Sequence, residues 1–207
     1  MLISFSRLRK KYNMNITGII HIGGHHGQEI SEYISCGIQN IVIFEPLECN
    51  FNILFDNVKN LNGNIIGHQF ALGSKEKKKV KMYVSSNDAM SSSILKPKVH
   101  LEQYSHIKFE TEEIVEVKTL DSFHYTDYNF INMDVQGYEL EVLKGSIETL
   151  KNINYVYCEV NRDEVYENNA YIEEIDDFLK NYDMIRVETD WQGDTWGDAF
   201  YIKEKLL

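Results

Sequence analysis

The feature that most constrains the fold is an alternation of short apolar runs with segments of helical periodicity. Across the first half, the sequence predicts strands over Gly18–Ile22, Asn40–Phe44 and Asn64–Leu72, with helices over Gln28–Cys36 and Leu47–Lys59 between them. Strands that alternate with helices in this way form a mostly parallel sheet with helices on both faces. The sequence therefore predicts an α/β fold.

The second half continues the alternation and ends in a hairpin. The predicted elements are strands over Lys79–Val84, Glu113–Thr119, Phe130–Met133 and Tyr155–Val160, helices over Gly137–Lys144 and Ala170–Asn181, and terminal strands over Met184–Thr189 and Ala199–Lys203. Gly145 is predicted to end its helix in a left-handed conformation. Two consecutive strands after a βα series predict one antiparallel strand in the sheet. The polar segment 85–112 is long for a structureless loop, so we expect a lid-like insertion or short helices there.

Charge is distributed unevenly along the chain. The net charge is −11, yet the first eleven residues include four basic residues and no acidic one. We interpret residues 1–16 as a basic N-terminal helix or extension before a single domain over 17–207, and we disfavour docking on an acidic membrane. No apolar run suits a transmembrane helix or a secretory signal. The acidic balance also argues against nucleic acid as a partner.

The three cysteines indicate the redox compartment of the protein. Cys36, Cys49 and Cys158 are an odd number and lack the spacing of a metal site. They predict reduced, mostly buried thiols in an intracellular, cytoplasmic protein. A catalytic cysteine would need a histidine beside it, and we do not favour that role.

A glycine-rich turn follows the first predicted strand and precedes a predicted helix. Its sequence is His21-Ile22-Gly23-Gly24-His25-His26-Gly27, and Glu45 stands at the end of the next strand, 22 residues after Gly23. Glycines permit a sharp turn and close approach of the main chain to a ligand. An acid at the next strand end can accept hydrogen bonds from both hydroxyls of a ribose. We favour a nucleoside site over an ordinary βα turn with a solvated glutamate.

The spacing of the glycines discriminates between nucleosides. Dinucleotide-binding turns have the pattern G-x-G-x-x-G, with a pyrophosphate on the helix N-terminus. Here the glycines are at positions 23, 24 and 27. S-adenosylmethionine carries a ribose without a phosphate, so a looser turn suffices. We therefore prefer S-adenosylmethionine over a nicotinamide dinucleotide as cofactor, and the terminal hairpin supports this preference.

Further motifs follow the glycine turn in order along residues 17–203. They are Ile43-Phe44-Glu45-Pro46, Phe70-Ala71-Leu72-Gly73, Met90-Ser91-Ser92-Ser93-Ile94, Thr119-Leu120-Asp121, and the stretch from Ile131 to Gly145 that contains Asp134-Val135-Gln136-Gly137. In this order the motifs resemble the FkbM family of S-adenosylmethionine-dependent methyltransferases. The resemblance implies a Rossmann-like class I methyltransferase fold, with a seven-stranded, mostly parallel sheet and a terminal antiparallel hairpin. It also implies methyl transfer, usually to a hydroxyl.

Two positions depart from the pattern of that family. His21 stands where the family usually has an acid, and Gln136 stands where it usually has a glutamate. A neutral imidazole could hydrogen-bond the cofactor but would neutralise its ammonium group less well. Glutamine cannot take up a proton, so position 136 cannot supply a catalytic base.

The residues expected around the cofactor stand where strands end, because open α/β sheets bind ligands beyond the carboxyl ends of their strands. Phe70 and Ala71 are placed for contact with adenine, although Phe70 could equally belong to the core. The complete predicted set is His21, Gly23, Gly24, His25, Gly27, Glu45, Pro46, Phe70, Ala71, Ser92 and Asp134.

Asp134 is the first candidate for the base that takes the proton of the acceptor, and Glu159 is the second. The alternative for Asp134 is that it caps the next helix or orients the cofactor. Together with Asn161 these acids could offer oxygen ligands to Mg²⁺, but the spacing does not require a metal and none is predicted. Zinc at the histidines of the glycine turn is disfavoured, because adjacent side chains diverge, and we expect His26 to be largely exposed.

The segment Trp191–Gly197 follows a strand that we expect to be parallel, so it should lie on the same side as the cofactor. Aromatic rings beside polar groups suit a sugar, which presents apolar ring faces and hydroxyls together. We therefore expect O-methylation of a sugar or glycan, with Asp198 at its rim. Two other interpretations compete with sugar binding. The tryptophans could close the core, and the serines could be solvated loop residues. The predicted acceptor-binding residues are Ser93, Trp191, Asp194 and Trp196.

Other functions stay open at this point. One is a catalytically silent module that binds S-adenosylmethionine, another is a methyltransferase of a non-sugar small molecule, and a nicotinamide oxidoreductase is disfavoured. A strongly anionic acceptor would need basic residues such as Lys96, Lys98 and His100. A neutral sugar is therefore the simpler acceptor. The oligomeric state is not indicated by the sequence.

Overall fold

The computed structural model describes every residue from Met1 to Leu207. The first elements are α1 (Phe5–Lys11), β1 (Ile19–Ile22), α2 (Ile30–Ser35), β2 (Asn40–Phe44), α3 (Glu48–Val58), β3 (Asn64–His68), β4 (Ala71–Leu72), β5 (Lys77–Val84), α4 (Val99–Gln103) and β6 (Thr111–Lys118). The others are β7 (Phe130–Met133), α5 (Glu139–Lys144), α6 (Ile147–Leu150), β8 (Tyr155–Asn161), α7 (Ile172–Lys180), β9 (Met184–Gln192) and β10 (Trp196–Lys203).

Seven strands form the main sheet in the order β3-β2-β1-β7-β8-β10-β9. Neighbouring strands from β3 to β8 pair in parallel, whereas β10 is antiparallel to both β8 and β9. The register places Ile22 opposite both Phe44 and Met133, so the carboxyl ends of β1, β2 and β7 lie side by side. The predicted seven-stranded, mostly parallel sheet with a terminal antiparallel hairpin is confirmed.

A second, three-stranded sheet corrects one predicted element. The apolar run Asn64–Leu72 was expected to be a single strand, but β3 ends at His68 and the chain turns through Gln69 and Phe70. β4 then pairs with β6, which also pairs with β5. Ala71 and Leu72 are buried, and an apolar run alone does not show which sheet will bury it.

Apolar cores cover both faces of the main sheet. On one face, side chains of α5, α6 and α7 pack against β7 and β8, with Leu143, Leu150 and Ile175 among them. On the other face, α1, α2 and α3 pack against β1, β2 and β10. The predicted helices on both faces are therefore present.

The basic start of the chain is packed on the domain. Phe5 and Leu8 of α1 are buried in the core, and Arg7 and Lys11 both form ion pairs with Glu188, at 2.8 and 2.7 Å. Part of the positive charge is thus neutralised by the last strand pair. None of the helices combines the length and the apolar character that crossing a lipid bilayer requires.

Two smaller predictions were wrong. Gly145 has a φ of −91°, so its helix does not end in a left-handed residue. A glycine is needed there for another reason, since a Cβ would lie 2.0 Å from the carbonyl oxygen of Gly73. Of the three free cysteines only Cys158 is buried, because Cys36 is half-buried and Cys49 is exposed on α3.

Candidate active site

Two adjoining cavities open at the carboxyl ends of the parallel strands. The first has a volume of about 250 Å³ and follows the ends of β1, β2 and β7. The second has a volume of about 420 Å³ and lies between β8, the β9–β10 hairpin and the segment 85–112. Met90, Asp134 and Gln136 line both cavities. These three residues therefore form the boundary across which groups in the two cavities can meet.

The glycine turn requires its glycines for close packing. Gly23 has a φ of +81°, and a Cβ on it would lie 1.8 Å from the carbonyl oxygen of Asp134. A Cβ on Gly24 would lie 2.3 Å from Cγ2 of Ile43. The main-chain N–H groups of both glycines donate to the carbonyl oxygen of Phe44 at 2.9 Å. The turn is therefore fixed to β2 on one side and to the loop after β7 on the other.

Glu45 is a buried acid held at the end of β2. One carboxylate oxygen accepts from the N–H of His25 at 2.8 Å and the other from the N–H of Leu47 at 3.0 Å. Burial raises the pKa of Glu45 to about 7, against the opposing effect of these hydrogen bonds. Each oxygen keeps acceptor capacity toward the first cavity, as a pair of ribose hydroxyls would need.

The first cavity brings together all but one of the residues predicted to bind the cofactor. Gly27 is the exception, because it faces Val58 and Leu54 instead of the cavity. Its φ of +76° explains why the turn has a glycine there. The predicted residues that do line the cavity are His21, Gly23, Gly24, His25, Glu45, Pro46, Phe70, Ala71, Ser92 and Asp134. Leu47 and Met82 add to the apolar end near Ala71, and these two residues were not predicted from the sequence.

The opposite end of the first cavity carries two acids that were not predicted there from the sequence, Glu29 and Asp198. The N-terminal ammonium group of Met1 also lines this end and forms an ion pair with Glu29 at 3.4 Å. Asp198 accepts from the N–H of Leu2 at 2.6 Å and from the hydroxyl of Tyr157. The prediction of Asp198 at the acceptor rim is wrong, because its side chain points toward Tyr157 of β8 and the first cavity. Glu29 lies two residues after the glycine turn, and this proximity is the sequence signal that could have placed it in the cavity.

His21 is an uncharged part of this end. Its ring is buried, and burial lowers the pKa of His21, so the imidazole is neutral at pH 7. The Tyr33 hydroxyl lies 3.2 Å from His21 Nδ1, and Asn132 Nδ2 donates to that hydroxyl at 2.7 Å. His21 therefore belongs to a neutral hydrogen-bonded group, while Glu29 and Asp198 supply the negative charge.

The loop after β7 presents Asp134 to both cavities. Glu139 shapes it by accepting from the N–H groups of Val135 and Gly137, at 3.0 and 3.2 Å. Gln136 Nε2 donates to Asp134 Oδ1 at 2.7 Å and to Glu159 Oε2 at 2.8 Å. The departure from the family pattern at position 136 thus places a neutral donor between the two candidate catalytic acids.

The two acids differ in their proton affinity. The Asp134 carboxyl is accessible from the cavities but surrounded by protein, and this desolvation raises its pKa to about 6. Glu159 is buried, and burial followed by the negative charge of Asp134 raises its pKa well above the usual range. With a pKa of about 6, Asp134 is mostly ionised at neutral pH, whereas burial favours the uncharged form of Glu159.

The second cavity contains only part of the predicted acceptor set. Trp196 lines it and donates from Nε1 to the hydroxyl of Tyr104 at 3.0 Å. Trp191 instead packs against the core beneath Arg162, whose guanidinium lies 4.1 Å from the ring centroid, and Asp194 is exposed. Ser93 is buried away from both cavities.

The second cavity has no lysine or arginine in its lining. Lys96 and Lys98 form ion pairs with Glu167 and Glu164. His100 does line the cavity, but burial lowers the pKa of its ring, and its Nδ1 has no hydrogen-bond partner. It is therefore a neutral hydrogen-bonding group rather than a cation. No group of three or more His, Cys, Asp or Glu side chains is arranged to hold a metal ion.

The sheet order and the cavity at its carboxyl edge define a Rossmann-like methyltransferase fold. The methyltransferase FkbM domain matches residues 21–185, and the chain belongs to this family. Among solved structures, a methyltransferase FkbM from Methylobacillus flagellatus superposes with a TM-score of 0.60 at 16% identity, covering 90% of this chain and 43% of that one. The magnesium protoporphyrin IX methyltransferase of Synechocystis, solved with bound SAM, gives a TM-score of 0.56 at 8% identity over 96% and 76% of the two chains.

Two curated relatives are similar in sequence. The 2-O-methyltransferase NoeI of Sinorhizobium fredii is 33% identical over 100 residues, which cover 46% of this chain and 41% of the relative. The hexuronic acid methyltransferase AglP of Haloferax volcanii is 29% identical over 127 residues, covering 58% and 47%. The chain thus spans less than half the length of these curated relatives.

Proposed function

We propose that the chain is an S-adenosylmethionine-dependent O-methyltransferase that acts on a hydroxyl of a neutral sugar or glycan. The observation that carries this proposal is the meeting of the two cavities at Asp134. A methyl donor in the first cavity and an acceptor in the second would have their reacting groups beside the same carboxyl.

The first cavity fits S-adenosylmethionine in the order of its chemical groups. Apolar side chains around Ala71 suit adenine, and Glu45 suits the ribose hydroxyls. Asp198 and Glu29 suit an ammonium group, and Glu29 already pairs with the one at Met1. This order follows the sheet, because the ends of β2, β1 and β7 lie side by side between the two extremes. Two acids from other elements therefore stand near His21, where the family usually has an acid, and one of them, Glu29, pairs with Met1.

When bound, S-adenosylmethionine supplies an electrophilic methyl group on a sulfonium centre. The residues of the chain supply position and a proton acceptor. Asp134, ionised at neutral pH, takes the proton of the acceptor hydroxyl, while burial favours the uncharged form of Glu159. Because the displacement is in line, holding both partners at fixed ends of adjoining cavities provides much of the acceleration.

A sugar acceptor is supported by the relatives and by the second cavity. Both curated relatives carry names that state O-methylation or methylation of a sugar acid. Trp196 and Tyr104 offer aromatic surface, while Gln192, Ser91 and His100 offer hydrogen bonds. Since this lining includes two acids and neither lysine nor arginine, an uncharged sugar suits it better than a uronate.

The test is transfer of tritiated methyl from S-adenosylmethionine to matched acceptors: neutral glycosides, the corresponding uronides, catechol and a protein mixture. We expect label in the neutral glycosides, with uronides at least tenfold slower, and Asp134→Asn as the negative control. Label confined to catechol or protein would contradict the proposal. Binding of S-adenosylmethionine without transfer to any acceptor would instead support a silent binding module, and thermal stabilisation by NAD alone would exclude the assigned cofactor.

A further inference from the structure

Gln136 joins the two carboxyl groups at the centre of the site. Its Nε2 donates to Asp134 at 2.7 Å and to Glu159 at 2.8 Å, so both amide hydrogens are used, one for each carboxyl group. In many proteins, carboxyl groups that face a common point hold a divalent cation there, at oxygen–metal distances of about 2.0–2.6 Å. In this chain the amide nitrogen occupies that point.

The amide is restrained from its far side and through its main chain. The hydroxyl of the fully buried Tyr166 lies 2.7 Å from Gln136 Oε1. Ser93 Oγ donates to the main-chain oxygen of Gln136 at 2.7 Å, which gives this predicted acceptor-binding serine a different contact. Gln136 also has a φ of +55°, a conformation that non-glycine residues hold only where their surroundings enforce it.

We propose that Gln136 is a positioning residue that takes the place of a bridging divalent cation, so that the acceptor proton passes to Asp134 without a metal ion. In the transfer step the O–H bond of the acceptor breaks and its proton joins the Asp134 carboxylate. The O–CH₃ bond forms as the S–CH₃ bond breaks, and the electron pair of that bond stays on sulfur. The transfer of the proton to Asp134 rests on the proposed function. The exclusion of a divalent cation concerns only the pair Asp134 and Glu159 and can be tested independently of that function.

Charge explains what the replacement achieves. A divalent cation between the carboxyl groups would hold them in place but would also stabilise their ionised forms, so Asp134 would be a weaker proton acceptor than it is beside the amide. The amide donates hydrogen bonds without adding a positive charge, so desolvation can keep the pKa of Asp134 raised, at about 6. A glutamate at position 136 would reverse this arrangement, because three carboxyl groups would then converge on one point.

The first experiment measures Mn²⁺ binding by electron paramagnetic resonance and needs no acceptor. It compares the unmodified protein, Gln136→Glu, and Gln192→Glu, which adds the same charge to the second cavity without changing position 136. We expect Gln136→Glu to bind Mn²⁺ at least tenfold more tightly than the other two. Binding by the unmodified protein as tight as that of Gln136→Glu would overturn the proposal.

The second experiment measures methyl transfer to the acceptor found in the panel above, with and without EDTA. We expect the unmodified protein to keep its full rate in EDTA and to gain nothing from Mg²⁺ or Mn²⁺. Gln136→Ala should lose at least tenfold in turnover with its affinity for S-adenosylmethionine within threefold, and Mn²⁺ should restore part of its rate. A purely structural role would not produce rescue by a cation.

The failures of the two proposals are distinguishable. Loss of the unmodified protein's rate in EDTA, restored by Mg²⁺, would overturn the role of Gln136 while leaving sugar methylation intact. Absence of transfer to any sugar would contradict the proposed function, and the Mn²⁺ titration would still decide the role of Gln136. Circular dichroism checks each variant for folding, and the EDTA arm applies to the unmodified protein if Gln136→Glu does not fold.

Discussion

Gly23 and Asp134 are in such close apposition that a methyl group on Gly23 would lie 1.8 Å from the Asp134 carbonyl oxygen. The two residues follow neighbouring parallel strands, β1 and β7. The turn that would hold the cofactor and the loop that carries the proposed base are therefore one packed unit. A substitution in the turn should therefore displace the loop, and a substitution in the loop should displace the turn.

Gly23→Ala should accordingly disturb both binding and catalysis, and Gly37→Ala is a matched control. Gly37 has a φ of +83°, close to the +81° of Gly23, but a Cβ on it meets nothing within 4 Å. We expect Gly37→Ala to lower the free energy of unfolding by about 1–2 kcal/mol through backbone strain alone. Gly23→Ala should cost more and also weaken binding of S-adenosylmethionine at least tenfold. If both variants lost the same free energy of unfolding in denaturation and bound S-adenosylmethionine equally in calorimetry, Gly23 and Asp134 would not form one packed unit.

Glu45→Ala should weaken binding of S-adenosylmethionine. At pH 8, where Glu45 with its pKa of about 7 is mostly ionised, hydrogen bonds to this charged group contribute about 1.5–3 kcal/mol, which corresponds to a loss of at least about tenfold in Kd. Glu48→Ala is the control, because Glu48 is exposed three residues along the chain and lines neither cavity. Isothermal titration would show Glu48→Ala within twofold of the unmodified protein. An unchanged Kd for Glu45→Ala would remove the ribose assignment.

The pH dependence of methyl transfer should report Asp134. A base must be ionised, and the pKa of Asp134 is about 6, so kcat/KM should rise with pH through about 6 and level off above about 7. Below that pKa the rate should fall about tenfold per pH unit as the carboxyl becomes protonated. Initial rates from pH 4.5 to 8 in overlapping buffers test this. A rate that is flat across pH 5–7 would count against Asp134 as the base.

Glu139 should affect stability through its contacts with the loop. It is buried and accepts from two main-chain N–H groups, and desolvation raises its pKa to about 7. Glu139→Ala leaves both donors unpaired and should cost about 2–3 kcal/mol of unfolding free energy. Glu139→Gln keeps an acceptor oxygen without the charge. Because the pKa of Glu139 is raised from 4.5 to about 7, its ionisation lowers the stability of the protein as the pH rises between these values, and the full cost is present at pH 8. Glu139→Gln should therefore be at least as stable as the unmodified protein at pH 8 in urea denaturation.

The parts of the site that the sequence predicted depend on local signals. The strand before Gly23, the turn itself and Glu45 lie within 30 residues of one another, and apolar runs and glycines mark each of them. The end of a buried strand is also a local property, which is why Asp134 and Glu159 could be named. Such signals show where a strand ends but not which other side chains will lie beside it.

The parts that were missed depend on contacts between distant segments. Asp198 lies in the cofactor cavity because β10 enters the sheet antiparallel to β8, which brings it beside Tyr157. Gln136 bridges two acids only after β7 and β8 become neighbours. Trp191 and Trp196 belong to one hairpin, yet only Trp196 lines the second cavity. Pairing and side-chain direction decide these outcomes, and a single sequence does not encode them in any short pattern.

The most direct test of the proposed chemistry is a comparison of Asp134→Asn with the unmodified protein. Asparagine keeps the size of the side chain and an oxygen that accepts from Gln136, but it cannot take a proton. With saturating S-adenosylmethionine and a neutral glycoside acceptor, we expect single-turnover methyl transfer at pH 7.5 to fall by about 100-fold or more, with the Kd for S-adenosylmethionine within threefold. A rate within threefold of the unmodified protein would show that Asp134 is not the base.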